Sequence, residues 1–179
     1  MLPMQREAIM QGPTSPEAVR KLGPAEKEAF HRDAESRVKT FKYGAEVDAK
    51  RMYDLGGKKQ VTQLANGEML RLRVQRVREG GENNLHYHTG SETTWMVLKG
   101  RARFYGPEDK LLGEFGPMEG ILIPGGARYW FEKVGDENLE VMQIVAYDRR
   151  DGAQEQRLNV DPHKEWMDQR HLQIYETSR

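Results

Sequence analysis

The sequence predicts an all-β fold, an antiparallel barrel or sandwich, with a helical arm in front of it. Two observations carry this reading. From about residue 41 to 148 the chain breaks into many short apolar runs, and Gly or Pro marks most of the joints. Within the first of these, Val61 to Ala65 and Glu68 to Val74 flank Asn66-Gly67, a pair that supplies the positive φ values of a tight hairpin turn.

The elements follow in order. Over residues 1 to 40, Ser15 can cap a helix that begins at Pro16, and Gly23 can end it. A second helix starts at Pro24 and carries Ala25, Ala29, Phe30, Ala34 and Val38 at roughly helical spacing. This arm has few large apolar residues, so it is expected to lean on the core or on a second subunit. After the hairpin, strands are expected over Leu85–His88, Thr93–Leu98, Arg101–Tyr105, Gly120–Ile123, Tyr129–Lys133 and Leu139–Tyr147. Residues 149 to 179 form a polar tail. There Asp161-Pro162 can open a short helix through Glu165, Trp166 and Met167, with Trp166 and Tyr175 packed on the barrel or on a partner. The expected organisation is thus an arm (1–40), a barrel (41–148) and a tail (149–179).

Composition removes several classes of function. Lys+Arg and Asp+Glu both number 28, so the formal net charge is zero. No basic excess points to nucleic acid or to an anionic membrane, and little long-range repulsion opposes self-association. There are no cysteines, which excludes disulfides, thiolate metal sites and Cys nucleophiles. The first residues lack the long apolar run of a secretory signal, and no stretch approaches the ~20 apolar residues of a membrane helix. A soluble cytoplasmic protein is expected. Neither a Gly-rich phosphate loop nor a Gly-x-Ser-x-Gly elbow is present. His31, His163 and His171 fall in the terminal arms and read as surface residues.

The chemistry is concentrated between Gly80 and Gly100. His86 and His88 are two residues apart, and on a strand such residues face the same way. Their imidazoles can chelate one ion, and imidazole suits Zn, Fe, Cu and Ni. Two histidines alone bind weakly, so further ligands must come from elsewhere. The plain alternative is a pair on a solvated strand face.

This stretch resembles the first sequence motif of the cupin superfamily: a Gly, five residues, His-x-His, a Glu and a closing Gly. Gly80 stands five residues before His86, Glu92 follows His88 after three residues, and Gly100 closes the segment. Glu119 to Tyr129 resembles the second motif, with its Pro-x-Gly core at Pro124 to Gly126. There are three departures. Tyr129 stands where the family pattern has a third His. Counting back from Gly100 puts Thr93, rather than Glu92, at the Glu position. Lys133 replaces the Asn that often ends the second motif. The resemblance implies a small antiparallel double-stranded β-helix (a jelly-roll barrel) that forms a homodimer. It also implies a divalent metal ion (Fe, Zn, Mn, Ni or Cu) on His86 and His88, completed by Glu92, Tyr129 or water. If Thr93 faces inward with Trp95 and Val97, Glu92 faces outward unless the Thr89-Gly90-Ser91 loop bulges. Tyr129 can bind a metal as phenolate, donate a proton to substrate, or simply fill the pocket.

Alternation predicts the other inward groups. Trp95 and Val97 should join the His pair, with Ala102 and Phe104, Phe131, and either Met142 with Ile144 or Gln143 with Val145. In the second strand Leu70, Leu72 and Val74 are the apolar phase and are expected inward. Arg71, Arg73 and Arg78 then form a solvated or subunit-facing stripe. Arg76 continues the inward phase. Buried, it needs an anion, either Glu92 or a substrate carboxylate; alternatively, a bulge near Gln75 gives its place to Val77. The functional reading is a metal-dependent enzyme on a small aromatic or carbonyl-bearing molecule. Oxygenase chemistry is favoured, with Tyr129 and Glu92 as catalytic candidates and Arg76, Trp95, Phe104, Phe131 and Gln143 lining the pocket. The alternatives are a cupin isomerase or cyclase, a non-catalytic ligand-binding barrel that has lost its metal, and a metal-free enzyme using Tyr129 and the His pair as acid and base.

Overall fold

The computed structural model describes residues 15–44, 57–148, 155–162 and 164–167, together with the backbone of 173–177. The chain divides into two compact units, Met1–Thr40 and Phe41–Arg179. The first contains α1 (Pro16–Lys21) and α2 (Pro24–Ser36). Ser15 Oγ accepts from the Ala18 amide at 3.1 Å, and Glu26 accepts from the Gly23 amide at 2.7 Å. These bonds satisfy amides that the first helical turns leave open. Neither helix buries a residue, and α2 stops before Val38, which is 74% exposed.

Among the described residues the second unit holds eleven strands: β1 (Lys59–Asn66), β2 (Leu70–Val77), β3 (Asn83–Thr89), β4 (Ser91–Lys99), β5 (Arg101–Tyr105), β6 (Leu111–Phe115), β7 (Gly120–Ile123), β8 (Tyr129–Val134), β9 (Leu139–Tyr147), β10 (Gln156–Asn159) and β11 (Gln173–Thr177). They form a six-stranded sheet, β11-β1-β2-β9-β4-β7, and a five-stranded sheet, β10-β3-β8-β5-β6. Every pairing is antiparallel except β1 with β11. A hairpin does join β1 to β2, but not through the tight positive-φ Asn-Gly turn expected. Asn66 still pairs with Arg71 as part of β1, neither Asn66 nor Gly67 has a positive φ, and the longer loop closes with the Gly67 amide on the Leu70 carbonyl at 2.8 Å.

The tail differs from its expectation. It adds a strand to each sheet, and the described residues 161, 162 and 164–167 form bends and turns rather than a helix. Met167 is the residue that buries itself, at 3% exposure, in a cluster with Leu85 and Trp130 on the outer face of the five-stranded sheet. Trp166 reaches the Trp130 ring at 6.4 Å but remains 46% exposed. The side chain of Tyr175 lies outside the described residues, as does His171.

The main core lies between the sheets. Val77, Val97, Leu139 and Val141 come from the larger sheet, and Ala102, Phe104 and Phe131 from the smaller. The rings of Phe104 and Phe131 are 5.3 Å apart, and Trp95 lies 5.3 Å from Phe131. Phe104 and Phe131 are fully buried and pack the closed end of the barrel, so they are core residues rather than pocket walls.

β2 faces the opposite way from the prediction. Register fixes this: Arg73 pairs with Gln143 and Val77 with Leu139 on β9, and Gln143 and Val141 pair with Trp95 and Val97 on β4. All of these share the inner face, so Arg71, Arg73, Gln75 and Val77 point in. Leu70, Leu72, Val74 and Arg76 point out. The apolar phase is nonetheless buried in part, with Val74 at 1% exposure and its outer-face neighbours Gln60 and Thr62 at 1% and 4%. The outer face of this sheet is therefore buried around Val74, Gln60 and Thr62, although Leu70 stays 45% exposed, and an apolar phase on β2 does not mark the barrel interior.

Arg76 is accordingly neither in the pocket nor in solvent. It is 3% exposed and meets a carboxylate on the adjacent strand. Its Nε donates to Glu140 at 3.0 Å, Nη1 to Gln60 at 2.6 Å and Nη2 to the Tyr43 hydroxyl at 3.0 Å, while that hydroxyl donates to Glu140 at 3.0 Å. No bulge is needed, because Val77 faces inward in regular register. Breaking one member of such a buried pair costs about 3–5 kcal/mol, whereas replacing both by apolar groups is close to neutral. Urea unfolding should thus show Arg76→Met strongly destabilised and the double variant Arg76→Met, Glu140→Met largely recovered. A single variant within about 1 kcal/mol of the wild type would contradict the pairing.

Candidate functional site

Between the sheets, above the aromatic core, lies a cavity of about 330 Å³. Its three walls differ in chemistry. β3 presents Asn84, His86 and His88, and β10 adds Arg157 beside them, in register with His88. The opposite wall is β2 and β9, with Arg71, Arg73, Gln75 and Gln143. Trp95 and Tyr129 close the side. Lys59 and Glu82 sit at the remaining end, next to Asn83.

The histidines are held in one tautomer each. His86 Nδ1 lies 2.7 Å from the Asn84 carbonyl, which can only accept, so Nδ1 carries the proton. His88 Nδ1 lies 2.6 Å from the Glu155 carboxylate and donates to it. Both rings therefore keep Nε2 as the acceptor nitrogen. Their centroids are 5.2 Å apart. Burial pushes His86 down to about 3, Arg157 pushes the same way, and the Asn84 bond opposes them. Burial also lowers His88, against the pull of Glu155. Both imidazoles are neutral bases at physiological pH. The turn after β7 supports this strand: the Gly126 amide donates to the His88 carbonyl at 2.8 Å, and Gly126 has a φ of +81°, which glycine tolerates best.

Tyr129 occupies the cavity side, 4.5 Å from the His86 ring. Trp95 Nε1 donates to its oxygen at 3.2 Å. Burial raises its phenol to about 12, with the Trp95 bond acting against that rise. It is a neutral phenol across the physiological range.

Glu92 does not reach the cavity. It is exposed on the outer face, paired with Ala146 across β4 and β9. Thr93 faces in instead, at 3% exposure, because β4 keeps strict alternation through Ser91 with no bulge at that point. The structure thus unites His86, His88, Trp95, Tyr129 and Gln143, and it separates Glu92 and Arg76 from them.

The residues the sequence reading missed are mostly charged. Arg71 and Arg73 were placed on the wrong face. Lys59, Glu82, Glu155 and Arg157 carried no motif. Only the alternation of β1, with Lys59 and Val61 in one phase, could have brought Lys59 forward. Arg157 reaches the site through pairing between segments about 70 residues apart, which no local pattern reveals.

The fit of a resident divalent ion can be judged from these donors. The His pair offers two well-oriented nitrogens, and their bound Nδ1 atoms are what metal-ligating imidazoles show. The rest of the shell is missing. Glu92 is on the far face, Tyr129 is a protonated phenol bonded to Trp95, and no group of three or more His, Cys, Asp or Glu side chains converges among the described residues. Arg157 and Arg71 also place positive charge on the histidines. The residues present do not fit a protein-held metal cage.

Lys59 is 2% exposed and donates to Asn83 Oδ1. Burial lowers its ammonium to about 7, Arg157 lowers it further, and Glu82 opposes both. Burial in turn raises the Glu82 carboxyl. The linkage for Lys59 runs in a definite direction. Between its folded pKa near 7 and its unfolded value of 10.5 the unfolded chain holds more protons, so stability rises with pH across that window. Thermal unfolding from pH 7 to 10 should show this rise in the wild type relative to Lys59→Met. Parallel curves for the two proteins would mean that Lys59 stays charged in the fold.

No family model matches the chain, and no curated protein matches it. Solved structures similar to it include an RmlC-like cupin with a double-stranded β-helix fold from Methanocaldococcus jannaschii. That likeness has 14% identity, 63% of this chain, 93% of that one and a TM-score of 0.49. KdgF from Halomonas sp. is similar at 14% identity over 64% and 96% of the two chains, with a TM-score of 0.48. The Cnp3 cupin domain of Schizosaccharomyces pombe is similar at 16% identity and a TM-score of 0.45, over 49% of this chain and 64% of that one. With its two facing sheets, antiparallel but for the pairing of β1 with β11, the chain has the double-stranded β-helix fold. No helix among the described residues is long and apolar enough to cross a membrane.

Proposed function

We propose that the barrel binds a small organic anion and acts on it, where it acts, by proton transfer through the neutral histidines. One observation carries this reading: a single cavity of about 330 Å³ sets Arg71, Arg73 and Arg157 against the neutral His86 and His88. Guanidinium groups recognise carboxylates by paired, charge-assisted hydrogen bonds. Arg71 and Arg73 are half-buried, and partial removal from water strengthens such bonds. Gln75, which donates to Gln143 at 3.2 Å, adds neutral hydrogen-bonding capacity to the same wall. A carboxylate on the arginine wall would extend its carbon skeleton toward the imidazoles. There His86 can take a proton on Nε2, while the Asn84 carbonyl holds the Nδ1–H already present and steadies the imidazolium that forms. Trp95 and Tyr129 supply apolar contact along the side and exclude water.

A second reading has the tied Nδ1 atoms in its favour. In it His86 and His88 hold a divalent ion whose remaining ligands come from the bound molecule and water. This keeps the metal-dependent enzyme expected from the sequence, including oxygenase, isomerase or cyclase activity.

Calorimetric titration with simple carboxylates such as lactate and pyruvate separates the two. The anion site predicts binding that survives chelation and weakens about 10-fold or more in Arg71→Met or Arg73→Met, since a hydrogen bond to a charged group contributes about 1.5–3 kcal/mol. Near-stoichiometric metal in protein purified without a histidine tag, lost in His86→Ala and required for binding, would favour the second reading and reject the first.

A further inference from the structure

Lys59 and Glu82 are the buried titratable groups in the barrel that the site above does not use. Both are 2% exposed, and both line the cavity. Lys59 begins β1, whose inner phase continues to Val61 on the same wall as Gln75. Glu82 follows a turn pressed onto the backbone just before Lys59. A Cβ on Gly81 would lie 2.2 Å from the Lys58 carbonyl oxygen, so only glycine allows that approach. The Arg78 amide donates to the same carbonyl at 2.9 Å. The fold thus brings the amine and the carboxyl to the same cavity. Glu82 Oε1 accepts from the Lys133 amide at a long 3.5 Å, while Oε2 is buried with no hydrogen-bond partner among the described residues. A buried carboxyl oxygen without a partner is costly and suggests that something else meets it there.

We infer that Lys59 captures the carbonyl group of a small 2-oxo acid as an imine, with Glu82 as the proton donor that releases water. The inference rests on the anion-site reading, which supplies the carboxylate end of the ligand, and it adds the carbonyl end. The amine lone pair adds to the carbonyl carbon, and one amine proton passes to the oxygen, giving a carbinolamine. The Glu82 carboxyl then protonates that hydroxyl, which leaves as water. Lys59 becomes an iminium and Glu82 a carboxylate, so atoms and charge balance without any oxidant or reductant. Two surroundings favour the step. Burial and the Arg157 charge keep a useful share of the amine neutral, and a nucleophilic lysine needs that. Burial keeps the Glu82 carboxyl protonated to higher pH than usual, ready to donate. Nearby, the neutral His86 is placed to take a proton from the carbon next to an iminium.

The test uses the full chain, pyruvate and sodium cyanoborohydride, with lactate as the acid that lacks the carbonyl. Intact mass and peptide mapping should find one reduced pyruvate adduct, located on Lys59 and formed well ahead of any on the surface lysines. Excess lactate should suppress it. Lys59→Arg, which keeps the charge, should lose that adduct, and Glu82→Gln should slow its formation about 100-fold. Circular dichroism checks that both variants are folded, and mapping of the wild type alone decides the matter if either is not. If pyruvate and lactate bind by calorimetry but no Lys59 adduct forms, the imine is overturned and the anion site stands. Failure of both acids to bind, with no adduct, overturns both. An adduct at Lys59 that lactate does not suppress, with no lactate binding, supports the imine and rejects the arginine wall as its anchor. Labelling spread evenly over the lysines also overturns the imine.

Discussion

The barrel depends on which phase of β2 looks inward. A strand offers two faces and its register allows one choice, so Arg71, Arg73 and Gln75 enter the interior together or not at all. They enter, because β9 pairs Arg73 with Gln143 and β4 pairs Trp95 with the same glutamine. What pins that choice is on the other face. Arg76 is locked to Glu140, Gln60 and Tyr43, and a ring of hydrogen bonds around a buried guanidinium permits no one-residue slip. A slip would strand that charge without partners and push Val77 out of the core. A polar cluster outside the barrel therefore keeps a polar wall inside it.

Much of the fold was legible in local pattern. The hairpin between β1 and β2, the capped helix at Ser15, and the strands ending at Tyr105, Ile123 and Tyr147 follow from breaker residues, capping and alternation, which act over a few residues, although Asn66-Gly67 does not itself form the positive-φ turn. β10 and β11 were not legible, because each exists through pairing with a distant strand rather than through its own composition. All four residues of β10 are exposed, and nothing in Gln-Arg-Leu-Asn demands a sheet. The face of β2 was misread for a related reason. Apolar residues mark burial, and a strand covered on both faces can bury its apolar phase on either side.

The site was legible where one residue spacing fixed the geometry. His86 and His88 had to share a face, and Thr93, Trp95 and Val97 had to share another, which carried Glu92 away. The electrostatics were not legible. Zero net charge over the chain conceals a cavity lined by Lys59 and three arginines, with Glu82 as its carboxyl, pushed up by burial. Burial is the larger cause of the low values of His86 and Lys59, and the positive charge of Arg157 adds to it.

β10 has a consequence for how such a site can diversify. It is an edge strand of four residues that touches the core hardly at all, yet its Arg157 sits against Asn84 and the preceding Glu155 fixes the tautomer of His88. The apolar packing that stabilises the barrel and the groups that set its charge preference are thus carried by different parts of the chain. Exchanging residues 155 to 159 would alter those polar groups while removing none of the core side chains Phe104, Phe131 and Trp95. The edge strand is in this sense a cassette: a short, fully exposed sequence that sets charge at the cavity without belonging to the packing beneath it.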